Sequence, residues 1–123
     1  MIQMDKKGES MKKLIFGILS LLFLITINSC GTETDPEFRV SNQRPTKANV
    51  QVQTSGGNTI NINDVTAGQV TAFQTTAEGN VIVTAVIQNE AVTPTVTFVA
   101  RKDTRYTIVI LTGNTPSLRV DQE

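Results

Sequence analysis

A chain of 123 residues supports one domain with one modest core. Its 11 basic residues balance 11 acidic ones, so the basic excess that nucleic-acid binding requires is missing. The lack of any histidine removes the commonest general base and metal ligand, and a single cysteine leaves no disulfide framework.

Met1–Ser10 mixes Asp5 and Glu9 with Lys6 and Lys7 and carries no recognisable signal, so Met11 reads as the true start. Lys12 and Lys13 then form a positive n-region ahead of the apolar run Leu14–Ile27. That run is shorter than the roughly 20 residues a spanning helix needs, and the chain turns hydrophilic after it. The pattern is that of a secretory signal. At its end, Ile27-Asn28-Ser29-Cys30 resembles the lipobox of bacterial lipoproteins, with a branched apolar residue three before the cysteine and a small residue just before it. The resemblance implies cleavage between Ser29 and Cys30 and a diacylglycerol thioether on Cys30. It also implies an exported chain anchored through acyl chains to the cell envelope, at the outer membrane. A thiol suits such a transfer as a soft nucleophile, and two or three chains anchor firmly where one binds marginally.

The expected organisation is a signal peptide over 1–29, a lipidated cysteine with an acidic tether over 30–37, and a β domain over 38–123. After cleavage, seven basic residues face nine acidic ones, a mildly acidic balance. Gly31–Glu37 has three acids and no apolar side chain, which predicts a solvated linker.

From Phe38 onward the pattern is strand and turn. Phe38–Val40 starts a short strand, which Asn42–Thr46 with Pro45 breaks. Asn49–Thr54 alternates Val50 and Val52 with Gln51 and Gln53, and Ser55–Asn58 turns into Ile60 and Ile62. Asp64–Gly68 turns again, and Gln69–Thr76 is expected as a strand carrying Val70, Ala72 and Phe73. After the turn Ala77–Asn80, Val81–Gln88 is the strongest strand; Thr93–Ala100, Arg105–Leu111 and a last strand at Leu118 and Val120 follow. Short strands at this spacing predict an all-β fold, a small Ig-like antiparallel β-sandwich of seven or eight strands.

The segments Phe38–Asn42, Ala48–Val52, Val65–Phe73 with the Gly79 turn, Thr95–Ala100 and Tyr106–Ile110 resemble a family of exported bacterial Ig-like β-sandwich domains of unknown function. The likeness spans about residues 38–121 and departs at Arg101–Arg105, where family members often carry glycine. It implies an extracytoplasmic location and adhesion or ligand binding, and it brings no catalytic residues and no cofactor.

Other chemistry has weak support. Asn61, Asn63 and Asp64 could offer oxygen ligands to calcium, but they read better as turn-forming residues. Ser41, Ser55 or Ser117 with Lys47 or Lys102 would make a nucleophile and base without any supporting motif. Phe38, Phe73, Phe98 and Tyr106 fall on strands and read as core rather than as a glycan-stacking platform. Tyr106 begins a late strand, as the corner tyrosine of Ig-like sandwiches does. Thr93, Thr95 and Thr97 share one strand face, too little for an ordered-water array.

The apolar faces Val81, Val83, Ala85, Ile87 and Tyr106, Ile108, Ile110 are assigned to the core. Ile82, Val86, Val109 and Leu111 are then surplus, and they form an exposed interaction patch if the two strands pair. The resulting expectation is a non-catalytic, lipid-anchored envelope module that binds a protein or matrix partner and can self-associate weakly. A small-molecule or glycan-binding module is the alternative.

Overall fold

Alternation of buried and exposed residues is unbroken along the second strand, whose valines point one way and whose Asn and Gln side chains point the other. The computed structural model describes residues 32–123. The signal peptide read from the sequence, its cleavage point at Ser29/Cys30 and the lipidated Cys30 all lie outside the described residues. Eight strands make up the rest: β1 (Glu37–Asn42), β2 (Ala48–Thr54), β3 (Thr59–Val65), β4 (Gln74–Thr75), β5 (Gly79–Ile87), β6 (Thr95–Ala100), β7 (Arg105–Leu111) and β8 (Ser117–Gln122). They form two four-stranded sheets, ordered β4-β1-β7-β8 and β3-β2-β5-β6. The fold is the small β-sandwich that the strand spacing predicts.

Their inner faces supply one core: Phe38, Val40, Ile108 and Ile110 from the first sheet, and Val50, Val52, Val81, Val83 and Ile87 from the second. The core assignment made for β5 holds throughout, since Val81, Val83, Ala85 and Ile87 are all buried. Tyr106 is buried too. Its hydroxyl donates to the carbonyl of Val99 at 3.2 Å and accepts the amide of Arg101 at 2.9 Å, the bond back to upstream backbone that marks a tyrosine corner. Its ring packs on Phe98 with centroids 4.7 Å apart.

Two expectations need correction. The sandwich is not wholly antiparallel: β1 runs parallel to β7, from Glu37 beside Arg105 to Asn42 beside Ile110. This register brings the inward residues Phe38, Val40 and Asn42 level with Tyr106, Ile108 and Ile110, and all of β2–β6 serves as the long crossover that a parallel pair requires. The strand expected over Gln69–Thr76 shrinks to β4 and one bridge between Ser41 and Val70. Its backbone still follows the β1 edge, but a side chain replaces part of the ladder: the Val40 amide donates to the Thr71 hydroxyl at 2.9 Å while the Thr71 amide donates to the Val40 carbonyl at 2.9 Å.

Part of the segment read as a tether lies among the described residues. From Thr34 onward it is bound to the domain. The Asp103 amide donates to the Thr34 carbonyl at 3.0 Å, and the Asp103 carboxylate accepts both the amide and the hydroxyl of Thr34 at 2.9 Å. Those two bonds hold the Asp103 carboxyl below its ordinary range, with Lys102 adding a smaller effect. A depressed carboxylate favours the clasped state above the unfolded aspartate value and loses that contribution as pH falls through the lower folded value. Thr34 amide protection, followed by hydrogen exchange, is therefore expected to survive acidification through the ordinary aspartate range and to disappear below it, while core strands stay protected.

One end of the sandwich is closed by two buried polar side chains. The Asn42 amide group donates to the carbonyls of Thr46 at 2.8 Å, Val65 at 3.0 Å and Thr66 at 3.3 Å, and its carbonyl oxygen accepts the Arg44 amide at 2.9 Å. The Arg44 guanidinium donates to the carbonyls of Leu111 at 2.8 Å and Gly113 at 3.3 Å and pairs with Glu90 at 2.7 Å. Together they tie the β1–β2, β3–β4, β5–β6 and β7–β8 connections.

Candidate interaction surface

The two outer faces of the sandwich differ in chemistry. On the β4-β1-β7-β8 sheet the outward positions carry Glu37 and Arg39 from β1, Arg105 and Thr107 from β7, and Arg119 and Asp121 from β8. These groups pair among themselves. Arg105 meets Glu37 at 2.8 Å, Arg39 meets Glu123 at 3.5 Å, and Arg119 meets Asp121 at 2.8 Å, which lowers the Asp121 carboxyl and raises the Arg119 guanidinium. The Phe73 ring lies between two cations, 4.6 Å from the Arg39 guanidinium and 4.3 Å from that of Arg105. That clamp explains how an aromatic residue sits half-buried on the outside of this sheet.

On the β3-β2-β5-β6 sheet the outward positions are uncharged except for Asp64 near the end of β3. Register places Thr59, Gln53, Ile82 and Thr97 in one row across the sheet, and Asn61, Gln51, Thr84 and Thr95 in the next. Asn49 stands beside Val86, and Asn80 beside Val99. Lys47 and Asp64 bound one end and pair with each other at 3.3 Å. Within this neutral lattice, Ile82 is 41%, Val86 56% and Val99 48% exposed.

The four-residue patch expected from the sequence is therefore split. It required Val81–Gln88 to pair with Arg105–Leu111, but β5 and β7 belong to different sheets. Ile82 and Val86 are exposed together as expected. Val109 is only 3% exposed, because β7 is a central strand with Ser41 of β1 on one side and Arg119 of β8 on the other. Leu111 is partly buried at the end of the same strand. Val99 takes their place. Its signal was present, since alternation along Thr95–Ala100 sets Thr95, Thr97 and Val99 opposite Val96, Phe98 and Ala100.

Phe38 and Tyr106 are buried, Phe98 is partly buried against them, and Phe73 is held by its two arginines, so these rings present no shared flat platform for a sugar. One depression, about 440 Å³, is lined by Thr34, Asp35, Glu37, Asp103, Thr104, Arg105 and Glu123. Each of its acids already has a partner: Asp35 has Lys102, Glu37 has Arg105, Asp103 has Thr34, and Glu123 has Arg39. No group of three or more histidine, cysteine or acidic side chains close enough to hold a metal occurs among the described residues. Asn61 lies exposed in β3, as does Asn63, while Asp64 is taken by Lys47. Ser55 donates to the Glu78 carbonyl at 3.4 Å, and Ser41 and Ser117 lie in β1 and β8. No protein-family model matches the chain, and neither does any curated protein.

Proposed function

We propose that this chain is a membrane-anchored envelope lipoprotein whose β-sandwich is a non-catalytic binding or adhesion module for a protein or matrix partner. The observation that carries the binding reading is the largely uncharged outer face of the β3-β2-β5-β6 sheet, where Ile82, Val86 and Val99 stand exposed among Asn, Gln and Thr side chains and the charges, Asp64 and Lys47, sit paired at one end. A surface of this kind gives a partner apolar contact at its centre without the desolvation cost of buried charge. The anchor reading rests on the lipobox-like Ile27–Cys30 and the apolar segment before it.

The anchor is tested by Cys30→Ala. Labelled palmitate is expected to enter the wild-type chain and not the variant, which should accumulate unprocessed; label in the variant contradicts the lipoprotein reading. The face is tested by Val86→Lys. Its thermal stability should stay within about 0.5 kcal/mol of wild type, as for surface substitutions generally, while partner capture falls.

A further inference from the structure

We propose that two copies of this chain join edge to edge through β6, in antiparallel register about a two-fold axis at Thr97. The inference starts from which backbone groups β6 leaves open. The Ala85 amide donates to the Pro94 carbonyl at 3.1 Å, and the register pairs Val83 with Val96 and Val81 with Phe98. Alternation in an antiparallel ladder then turns the N–H and C=O groups of residues 94, 96, 98 and 100 toward β5 and those of Thr95, Thr97 and Val99 outward. β6 is the last strand of its sheet, so those three residues face no further strand.

Edge strands are ordinarily protected by charge, proline, bulges or shortness. β4 has two residues, and β8 carries Arg119 and Asp121. β3 has a register shift against β2, and its Asp64 adopts a left-handed φ of 57°. β6 has six residues, Thr-Val-Thr-Phe-Val-Ala, without charge, proline or register break, and its composition suits a strand.

The open groups are symmetric about Thr97. Beyond Val99 the next outward amide, that of Arg101, is taken by the Tyr106 hydroxyl. A two-fold axis at Thr97 sets it opposite its own copy and sets Thr95 opposite Val99 of the second copy. All three positions of each strand are then hydrogen-bonding pairs. The Val99 carbonyl already accepts the Tyr106 hydroxyl, and a carbonyl accepts two bonds. Side chains agree with this register: Val96 and Phe98, both partly exposed at the sheet edge, meet across the axis on the inner side. An uncharged strand meets its copy without like-charge opposition, which is the electrostatic condition for an isologous contact. The product is a continuous eight-stranded sheet on which the two Val99 and Ile82 positions flank the axis. A single pair of short strands buries less than a standard interface, so the association is weak and concentration-dependent.

The experiment is sedimentation equilibrium of the full chain in density-matched detergent. Wild-type particles are expected to move from one chain to two between about 10 µM and about 1 mM. Thr97→Lys and Thr97→Glu, which set like charges against each other at the axis, should each weaken association about tenfold, and an equal mixture of the two should restore it. Circular dichroism checks that both variants keep the β fold. Should either not fold, hydrogen exchange on the wild type decides: protection of the Thr95, Thr97 and Val99 amides must rise with concentration. A wild type that stays monomeric to about 1 mM overturns the proposal. So does association that Thr97→Lys leaves unchanged, a charge mixture that fails to associate, dimerisation without new protection at the three amides, or association that appears only when another protein is added.

Discussion

Replacing Arg44 by alanine is expected to destabilise the domain by about 3 kcal/mol, a fall of roughly 15 °C in Tm for a domain of this size. The side chain is only 6% exposed and serves three acceptors on two other connections: Glu90, Leu111 and Gly113. Its removal takes a donor from the carbonyls of Leu111, at the end of β7, and of Gly113 in the loop after it, and leaves the Glu90 carboxylate without its cation. Glu90 is 30% exposed and can recover some hydration, which sets the estimate at the low end of what breaking a buried pair costs. Arg44→Lys should recover little of the loss, since one ammonium cannot reproduce a planar fork that spans a carboxylate and two carbonyls. Urea midpoints of the three proteins check this; an Arg44→Ala midpoint equal to wild type would mean the clamp is idle. The Arg39–Glu123 pair on the outer face, at 3.5 Å, is half-exposed and should change stability by less than about 1 kcal/mol when broken.

Asn42→Ala is expected to cost about 2–3 kcal/mol for a different reason. The side chain is 1% exposed, and its loss leaves the buried Arg44 amide without an acceptor and removes the donor shared by Thr46, Val65 and Thr66. Asn42→Asp keeps an acceptor for Arg44 but places a carboxylate against three carbonyl oxygens, so it should be no better than alanine. Asn42 accepts the Arg44 backbone amide, a bond that Arg44→Ala keeps but that holds the Arg44 backbone in place for its guanidinium, so the double variant should lose less than the two single losses added together. A strictly additive pair would show that the two residues act on separate parts of the fold.

Strand existence was legible wherever burial imposes a period of two. Val50 with Val52, and Val81 through Ile87, alternate strictly, and their inward assignment follows from that alone. Sheet membership was not legible, because it depends on pairing between residues far apart in the chain. β1 lies beside β7 across most of the domain, and nothing local in Phe38–Asn42 marks a parallel partner. The same non-locality misplaced Val109: its exposure is decided by whether β7 is central, and an outward valine on a central strand can be covered by its neighbours. Gln69–Thr76 misleads because it contains apolar residues that are not core. Val70 is 51% exposed, and Phe73 is held on the outside by two arginines over 30 residues away in either direction along the chain. Arg44 gave no cue either, since a loop arginine beside Pro45 reads as solvated. Val99 was within reach, because only its strand alternation was needed.

The central claim is that the neutral face, and not the charged one, is what this domain offers to a partner. Its most direct test is a quantitative pull-down from envelope extracts with three proteins matched for fold by circular dichroism: wild type, Val86→Lys on the neutral face, and Arg119→Glu on the charged face. The account predicts that Val86→Lys loses most of the partner captured by wild type while Arg119→Glu keeps it. Equal capture by wild type and Val86→Lys, or loss confined to Arg119→Glu, would contradict it.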